Sequence, residues 1–404
     1  MKTKKLVERG GLLKQAKILK HKGLYPYFNA VGSTQSDKAI IGGKEVLMFG
    51  SNNYLGLSGD ARIKAAMKKA IDKYGTSCTG SRFMNGTISL HHELEAELKD
   101  FLKKDAVIIF PTGFQVNVGV IPAVTDKNDL IFIDELNHAS IIDGCRMSFA
   151  RRVKYKHNNI DDLEQKLKFH TEKNKDAVSL IICDGIFSMD GDIAHLDKIA
   201  ELGQKYQAMV MVDCAHAIGV IGENGSGTAS HHGVTDKVDL IGGTFSKSLA
   251  SVGGFVAGSS EVIDYLSHAS RSYMFSASLP PASTAAALEA LRIIRSDDSL
   301  RQKLWDNTNH AIRKMVEAGL DIGNAESPII PVYIRNSQKT FMVAKELLDK
   351  GIYVNPVVAP GVKDSESLLR FSLTALHSHQ QIDFAIECIA EVVHKYCNTP
   401  AVCQ

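Results

Sequence analysis

Through the middle of the chain, short apolar runs alternate with stretches whose apolar residues recur every three or four positions. The runs at 107–110, 130–134, 178–184 and 208–213 each contain four or five consecutive hydrophobic residues and stop at a polar residue or a glycine-bearing turn. A run of that kind, without in-out alternation, reads as a strand buried on both faces. Such strands spaced by amphipathic helices read as parallel β-α units with right-handed crossovers. Helices are predicted at about 60–74, 91–103 and 196–206; in the second, Leu94, Leu98, Phe101 and Leu102 fall on one side. Residues 39–49 read as a hairpin turning at Gly42-Gly43, preceded by a Lys-rich helical stretch over 1–23. Beyond about 291 the pattern becomes a smaller α+β one, with strands at 329–334, 353–355 and 368–373, a helix at 338–349 and a final helix to about 396. The expected division is an arm and hairpin (1–45), a large α/β domain (46–290) and a small C-terminal domain (291–404).

Composition narrows the partners. A chain of 404 residues, 44% hydrophobic and 23% charged, is ordinary for a globular protein of two or so domains. With 47 basic against 45 acidic side chains the net charge is +2, which gives no whole-chain case for a nucleic-acid partner. No apolar run reaches about eighteen residues, so no transmembrane helix is expected, and the basic N-terminus leads into no apolar signal segment. Seven cysteines, an odd number with no C-x-x-C pair, point to reduced thiols and a cytoplasmic setting. The fifteen histidines show no H-E-x-x-H spacing, and no metal site is expected. The 1–23 stretch fits an arm packed on the protein or on a second subunit; its competing reading is peripheral contact with the inner membrane surface.

The chemistry concentrates where an apolar run at 239–243 enters the turn Thr244-Phe245-Ser246-Lys247-Ser248, followed by Gly253-Gly254. Lys247 is thereby held between two strands. An amine so placed can form a Schiff base with an aldehyde, while Thr244 and Ser246 offer hydroxyls to an anionic group. A solvated surface lysine is the bland alternative; a nucleotide P-loop is rejected because Ile241 and Ser246 stand where its glycines belong. Upstream, the run at 208–212 delivers Asp213 to a strand's C-terminal end, with His216 three residues on. A carboxylate there can keep a pyridine nitrogen protonated. Lysine, acid and phosphate donors are what pyridoxal 5'-phosphate (PLP) requires of a protein. Gly113 and Phe114, at the start of the helix after Pro111-Thr112, offer backbone N–H groups suited to a phosphate.

Asp213-x-Ala215-His216 followed by Gly243-Thr244-Phe245-Ser246-Lys247 resembles the α-oxoamine synthases, a branch of the fold-type I PLP enzymes, and the resemblance runs from about 24 to 393. It implies a large, mainly parallel seven-stranded sheet domain with a smaller C-terminal α+β domain, and a homodimer with shared active sites. It further implies that His138 stacks on the cofactor ring, Ser188 approaches the substrate or the ring oxygen, and His216 bonds that oxygen. Asn52, within the N-x-Y-L-G motif, and Arg370 would face the substrate carboxylate, and Ser276 would reach the neighbouring subunit's cofactor phosphate. Asn52 as a turn-holding residue and Arg370 in a structural ion pair are the alternatives. The runs at 47–52, 78–87 and 245–251 are most similar to the members that join L-serine to palmitoyl-CoA; pairs of glycine with acetyl-CoA or alanine with pimeloyl-CoA remain open, as does an inactive regulatory subunit. Some relatives carry an arginine in the loop 357–366, where this chain offers only Lys363.

Overall fold

The computed structural model describes residue 5, residues 11–174 and residues 177–397. The chain forms two compact units, one of residues 52–305 and one joining the residues up to Ser51 with those from Asp306 onward. The expected three-part division at 45/46 and 290/291 therefore differs from the observed units at both boundaries.

The first unit opens with helix α1 (Leu12–His21) and the hairpin β1 (Lys38–Ile41) and β2 (Lys44–Met48). The hairpin turns at Gly42 and Gly43, both at positive φ, where glycine has no Cβ to clash. Most of the arm before α1 lies outside the described residues. Among those described, no helix is long and apolar enough to cross a membrane.

The large unit begins with α2 (Ala61–Tyr74) and α3 (Ser89–Leu102). Strand β3 (Ala106–Phe110) then leads to α4 (Gly113–Val124), β4 (Leu130–Asp134), α5 (Ala139–Met147), β5 (Arg151–Tyr155) and α6 (Ile160–Thr171). There follow β6 (Ser179–Asp184), α7 (Leu196–Tyr206), β7 (Met209–Asp213), β8 (Leu240–Thr244), β9 (Gly254–Gly258), α8 (Ser260–Ala269) and α9 (Pro281–Ser296). Seven strands make one sheet in the order β3-β9-β8-β7-β6-β4-β5, parallel throughout except for β9, which runs antiparallel between β3 and β8. β4, β6, β7 and β8 are buried along nearly their whole length, as unalternating apolar runs require. Ile108, Ile131, Ile182, Met211 and Val256 of the sheet share one core with Val116 and Val120 of α4 and Ile141 of α5. α9 packs on α2 and α3, which explains why the large unit extends past residue 290.

The chain returns to the first unit along α10 (Ser299–Glu317), which spans the division, and then builds β10 (Ile329–Tyr333), α11 (Ser337–Asp349), β11 (Ile352–Tyr353), β12 (Asn355–Val357), β13 (Leu368–Ser372) and α12 (His379–Cys397). The strand predicted at 353–355 is two short strands in different sheets: β11 joins β1-β2, pairing with β2 in parallel, and β12 joins β10-β13. That pairing with β2 makes the hairpin part of this unit and not a separate arm. Phe49 stacks on Phe371 and on His377, with ring centroids 4.2 Å and 4.1 Å apart.

Candidate active site

The C-terminal ends of the parallel strands and the first turn of α4 surround a cavity of about 370 Å³ in the large unit. Gly113, Phe114, His138, Asp213, His216, Thr244, Ser246 and Lys247 all line it. Their convergence follows from topology: the loops leaving β3, β4, β7 and β8 open on the same edge of the sheet, where ligands bind in open α/β folds.

The floor is made by two carboxylates on adjacent strands. Asp184 and Asp213 end β6 and β7 and stand in direct register. Asp213 is buried; its Oδ2 accepts from Asn117 Nδ2 at 2.7 Å and its Oδ1 from the Ala215 N–H at 3.0 Å, which fixes the plane of the carboxylate. Asp184 accepts the His138 N–H at 2.6 Å. Burial first, and then the charge of Asp213, push the Asp184 carboxyl well above the usual carboxylate range.

Two histidines flank these acids. His138 caps α5: its Nδ1 accepts the Ser140 N–H at 3.2 Å and lies 2.7 Å from Ser140 Oγ. Burial and the Lys247 ammonium lower its pKa against the pull of Asp213, which favours the neutral ring. His216 Nδ1 lies 2.7 Å from the hydroxyl of buried Tyr54, whose oxygen is 3.4 Å from Asn52 Oδ1.

Opposite them, Thr112 caps α4 by accepting the Gln115 N–H at 3.2 Å, so the first-turn N–H groups of Gly113 and Phe114 have no intrahelical acceptor. A Cβ at Gly113 would stand 2.7 Å from Thr244 Cβ. Glycine is therefore what lets this helix end approach β8. Thr244 Oγ1 donates to Gly253 O at 2.9 Å and pairs with Ser246 Oγ at 2.9 Å. Two N–H groups at a positive helix end, and two hydroxyls whose hydrogens would turn from their present partners, make a cradle for a dianionic phosphate. The cradle, the buried carboxylate and the amine of Lys247 are together the donor set that PLP needs, so these residues fit that cofactor. The turn carrying Lys247 is tight: Ala250 N–H bonds Lys247 O at 3.0 Å, and Ala250 takes φ +51°, a left-handed conformation that costs an L-residue about 1–2 kcal/mol.

Ser188 is half-buried in the turn after β6, and Ser276 Oγ accepts from Gln115 Nε2 at 3.0 Å; neither lines the cavity. Asn52 meets the site through Tyr54. Arg370 belongs to the first unit, buried in β13 with its Nη1 donating to Ser372 Oγ at 2.7 Å. Among the described residues, no group of three or more His, Cys, Asp or Glu is placed to hold a metal ion.

Sequence reasoning missed Asn117, Ser140 and Tyr54, and it left Asp184 without a role. Asn117 had a signal: it is an amide between two valines in the run 116–124, which carries no other polar side chain. Asp184 repeats the pattern of Asp213, an acid ending an apolar strand.

Residues 44–389 match the aminotransferase class I and II family. The chain is 53% identical to a serine palmitoyltransferase of Sphingobacterium spiritivorum, over 97% of this chain and 98% of that protein. It is 44% identical to an 8-amino-7-oxononanoate synthase of Thermoanaerobacter pseudethanolicus, over 93% and 94%. Among solved structures, serine palmitoyltransferase from S. paucimobilis with bound PLP–myriocin aldimine superposes with a TM-score of 0.94 at 33% identity, covering 98% of this chain and 99% of that one.

Proposed function

Because the chain belongs to the aminotransferase class I and II family, as an α-oxoamine synthase that uses PLP, we propose that it condenses L-serine with palmitoyl-CoA. The products are 3-ketodihydrosphingosine, free CoA and carbon dioxide, the entry reaction of sphingolipid synthesis. The observation that carries this reading is the convergence of Lys247, Asp213, His138 and His216 on one cavity, in a chain 53% identical to a serine palmitoyltransferase.

When bound, PLP supplies an aldehyde that condenses with amines and a protonated ring that takes up the electron pair released at the substrate Cα. Lys247 holds the cofactor, then removes the serine α-proton, and later returns a proton to the same carbon. Asp213 would face the ring nitrogen and hold the proton there. His216, its Nδ1 2.7 Å from the Tyr54 hydroxyl, would present Nε2 to the ring oxygen. Neutral His138 covers one face of the ring and excludes water there. Gly113, Phe114, Thr244 and Ser246 hold the phosphate. Asn52 and Arg370 orient the serine carboxylate, Arg370 by two parallel charge-assisted bonds. Ser188 meets the substrate or the ring oxygen. The active form is a cytoplasmic homodimer, with Ser276 completing the phosphate site of the neighbouring subunit.

Purified protein reconstituted with PLP should show a cofactor absorbance that responds to L-serine, and mass spectrometry should find the C18 amino ketone from serine and palmitoyl-CoA. Lys247→Ala should abolish turnover and borohydride trapping of the cofactor. The 44% identity to 8-amino-7-oxononanoate synthases supports a second reading, alanine with pimeloyl-CoA. A response to alanine and none to serine would replace the first reading with the second.

A further inference from the structure

One amide in the large unit touches both halves of the site. Asn117 Nδ2 donates to Asp213 Oδ2 at 2.7 Å and to Ser140 Oγ at 2.8 Å. An NH2 group can only donate, so Ser140 Oγ accepts there and turns its own hydrogen towards His138 Nδ1, 2.7 Å away. The Ser140 backbone N–H points at the same nitrogen. Every donor along this path faces one way, from Asn117 through Ser140 to His138, and the proton of the neutral ring is left on Nε2.

We propose that Asn117 is a positioning residue, whose single amide fixes the plane of the Asp213 carboxylate and, through Ser140, the tautomer of His138. A packing role alone does not account for it. Asn117 is 1% exposed and its Oδ1 is buried with no hydrogen-bond partner, so the carboxamide carries an unsatisfied acceptor while both its hydrogens serve site groups. The backbone is shaped to the same end: a Cβ on Gly144 of α5 would lie 2.6 Å from Asn117 O, so glycine permits the close approach of α5 to α4 that brings Ser140 within reach. The charged groups facing His138 are Asp213 and Lys247, with Asp184 at its backbone N–H. This inference rests on the function proposed above for the roles of His138 and Asp213, and its test does not require turnover.

The decisive variant is Asn117→Asp, which keeps the shape and reverses the direction. The new carboxyl shares a proton with Asp213 and accepts the Ser140 hydroxyl hydrogen, so Ser140 Oγ turns its lone pairs to His138 Nδ1 at 2.7 Å; that contact opposes the bond from the Ser140 N–H and drives the ring proton towards Nδ1. With 15N-labelled histidine in the cofactor-free protein at neutral pH, and His138→Gln to assign the resonance, wild type should carry the proton on Nε2 and Asn117→Asp on Nδ1. Adding Ser140→Ala to Asn117→Asp cuts the path and should restore the Nε2 form, whereas Ser140→Thr should preserve the reversal. A purely structural amide would show no such dependence. Asn117→Leu, which removes the hydrogen bond to the Asp213 carboxylate, should weaken PLP binding about tenfold, and Ser140→Ala should not. An unchanged tautomer in Asn117→Asp overturns the proposal. If that variant fails to fold, equal loss of PLP affinity in Asn117→Leu and Ser140→Ala overturns it. Wild-type protein that takes up no PLP would instead overturn the function proposed above and leave the tautomer result standing.

Discussion

Asp184 is a carboxyl group that folding holds at a cost. Buried beside Asp213, it has a folded-state pKa raised above its unfolded value, so the unfolded chain gains by ionising it wherever the pH exceeds about 4. Its contribution is therefore favourable only at low pH and is lost as the pH rises. Asp184→Asn keeps an acceptor for the His138 N–H and should stabilise the cofactor-free protein at pH 7, read as a higher urea midpoint. The gain should vanish near pH 3. His157 is the opposite case, an imidazole between Asp134 Oδ1 at 3.0 Å and Asp192 Oδ2 at 2.9 Å. Although burial works against the charged ring, the two carboxylates raise its pKa to about 10.

At the scale of elements, the site depends on how closely two helices and one loop can approach the sheet. Gly144→Ala places a methyl against the backbone oxygen of Asn117, which cannot rotate away, so α5 must shift; a loss of about 1–3 kcal/mol is expected, together with loss of the Asn117–Ser140 bond. Thermal unfolding of the cofactor-free variant measures the first and the His138 ring nitrogens report the second. The Gly-rich loop 75–87 is anchored by Arg82, whose Nη1 and Nη2 donate to Glu95 at 2.7 Å and 3.1 Å and whose Nε donates to Thr87 Oγ1 at 3.1 Å. With both partners largely buried, Arg82→Ala leaves Glu95 only the Ile109 N–H at 3.3 Å and His92 Nδ1 at 3.2 Å, and should cost up to about 3 kcal/mol; Arg82→Lys, lacking the fork, should recover only part of it. Urea midpoints would measure both.

The whole molecule should show a bounded range of pH stability. Burial lowers the pKa of His91 and of His377 to about 4, so the stability tied to their neutral rings is full above pH 6.5 and is lost as the pH falls through about 4. His377, the more deeply buried, should account for on the order of 2 kcal/mol of that acid limb. The raised pKa of His157 acts on the other side: its contribution is full below pH 6.5 and is lost as the pH rises through about 10. Unfolding midpoints of the cofactor-free protein from pH 4 to pH 10 should fall at both ends, with His157→Gln flattening the alkaline limb and His377→Phe the acid one.

What could be read along the chain was whatever depends on neighbours in sequence. Apolar runs without alternation identified β4, β6 and β7, because a strand covered on both faces has no polar side to show. The turn around Lys247 and the acid ending the 208–213 run carried the cofactor chemistry, since strand ends deliver their loops to one sheet edge. Tertiary structure alone decided the rest. The break of the 353–355 stretch into two sheets depends on partners some three hundred residues upstream for β11 and about a dozen downstream for β12. The hairpin's membership of the C-terminal unit rests on the same long-range pairing. Asn117 and Ser140 lie 23 residues apart and Asn117 and Asp213 lie 96 apart, and no local pattern relates them. Hydrogen bonds across such separations exist only once the sheet has fixed where each loop begins.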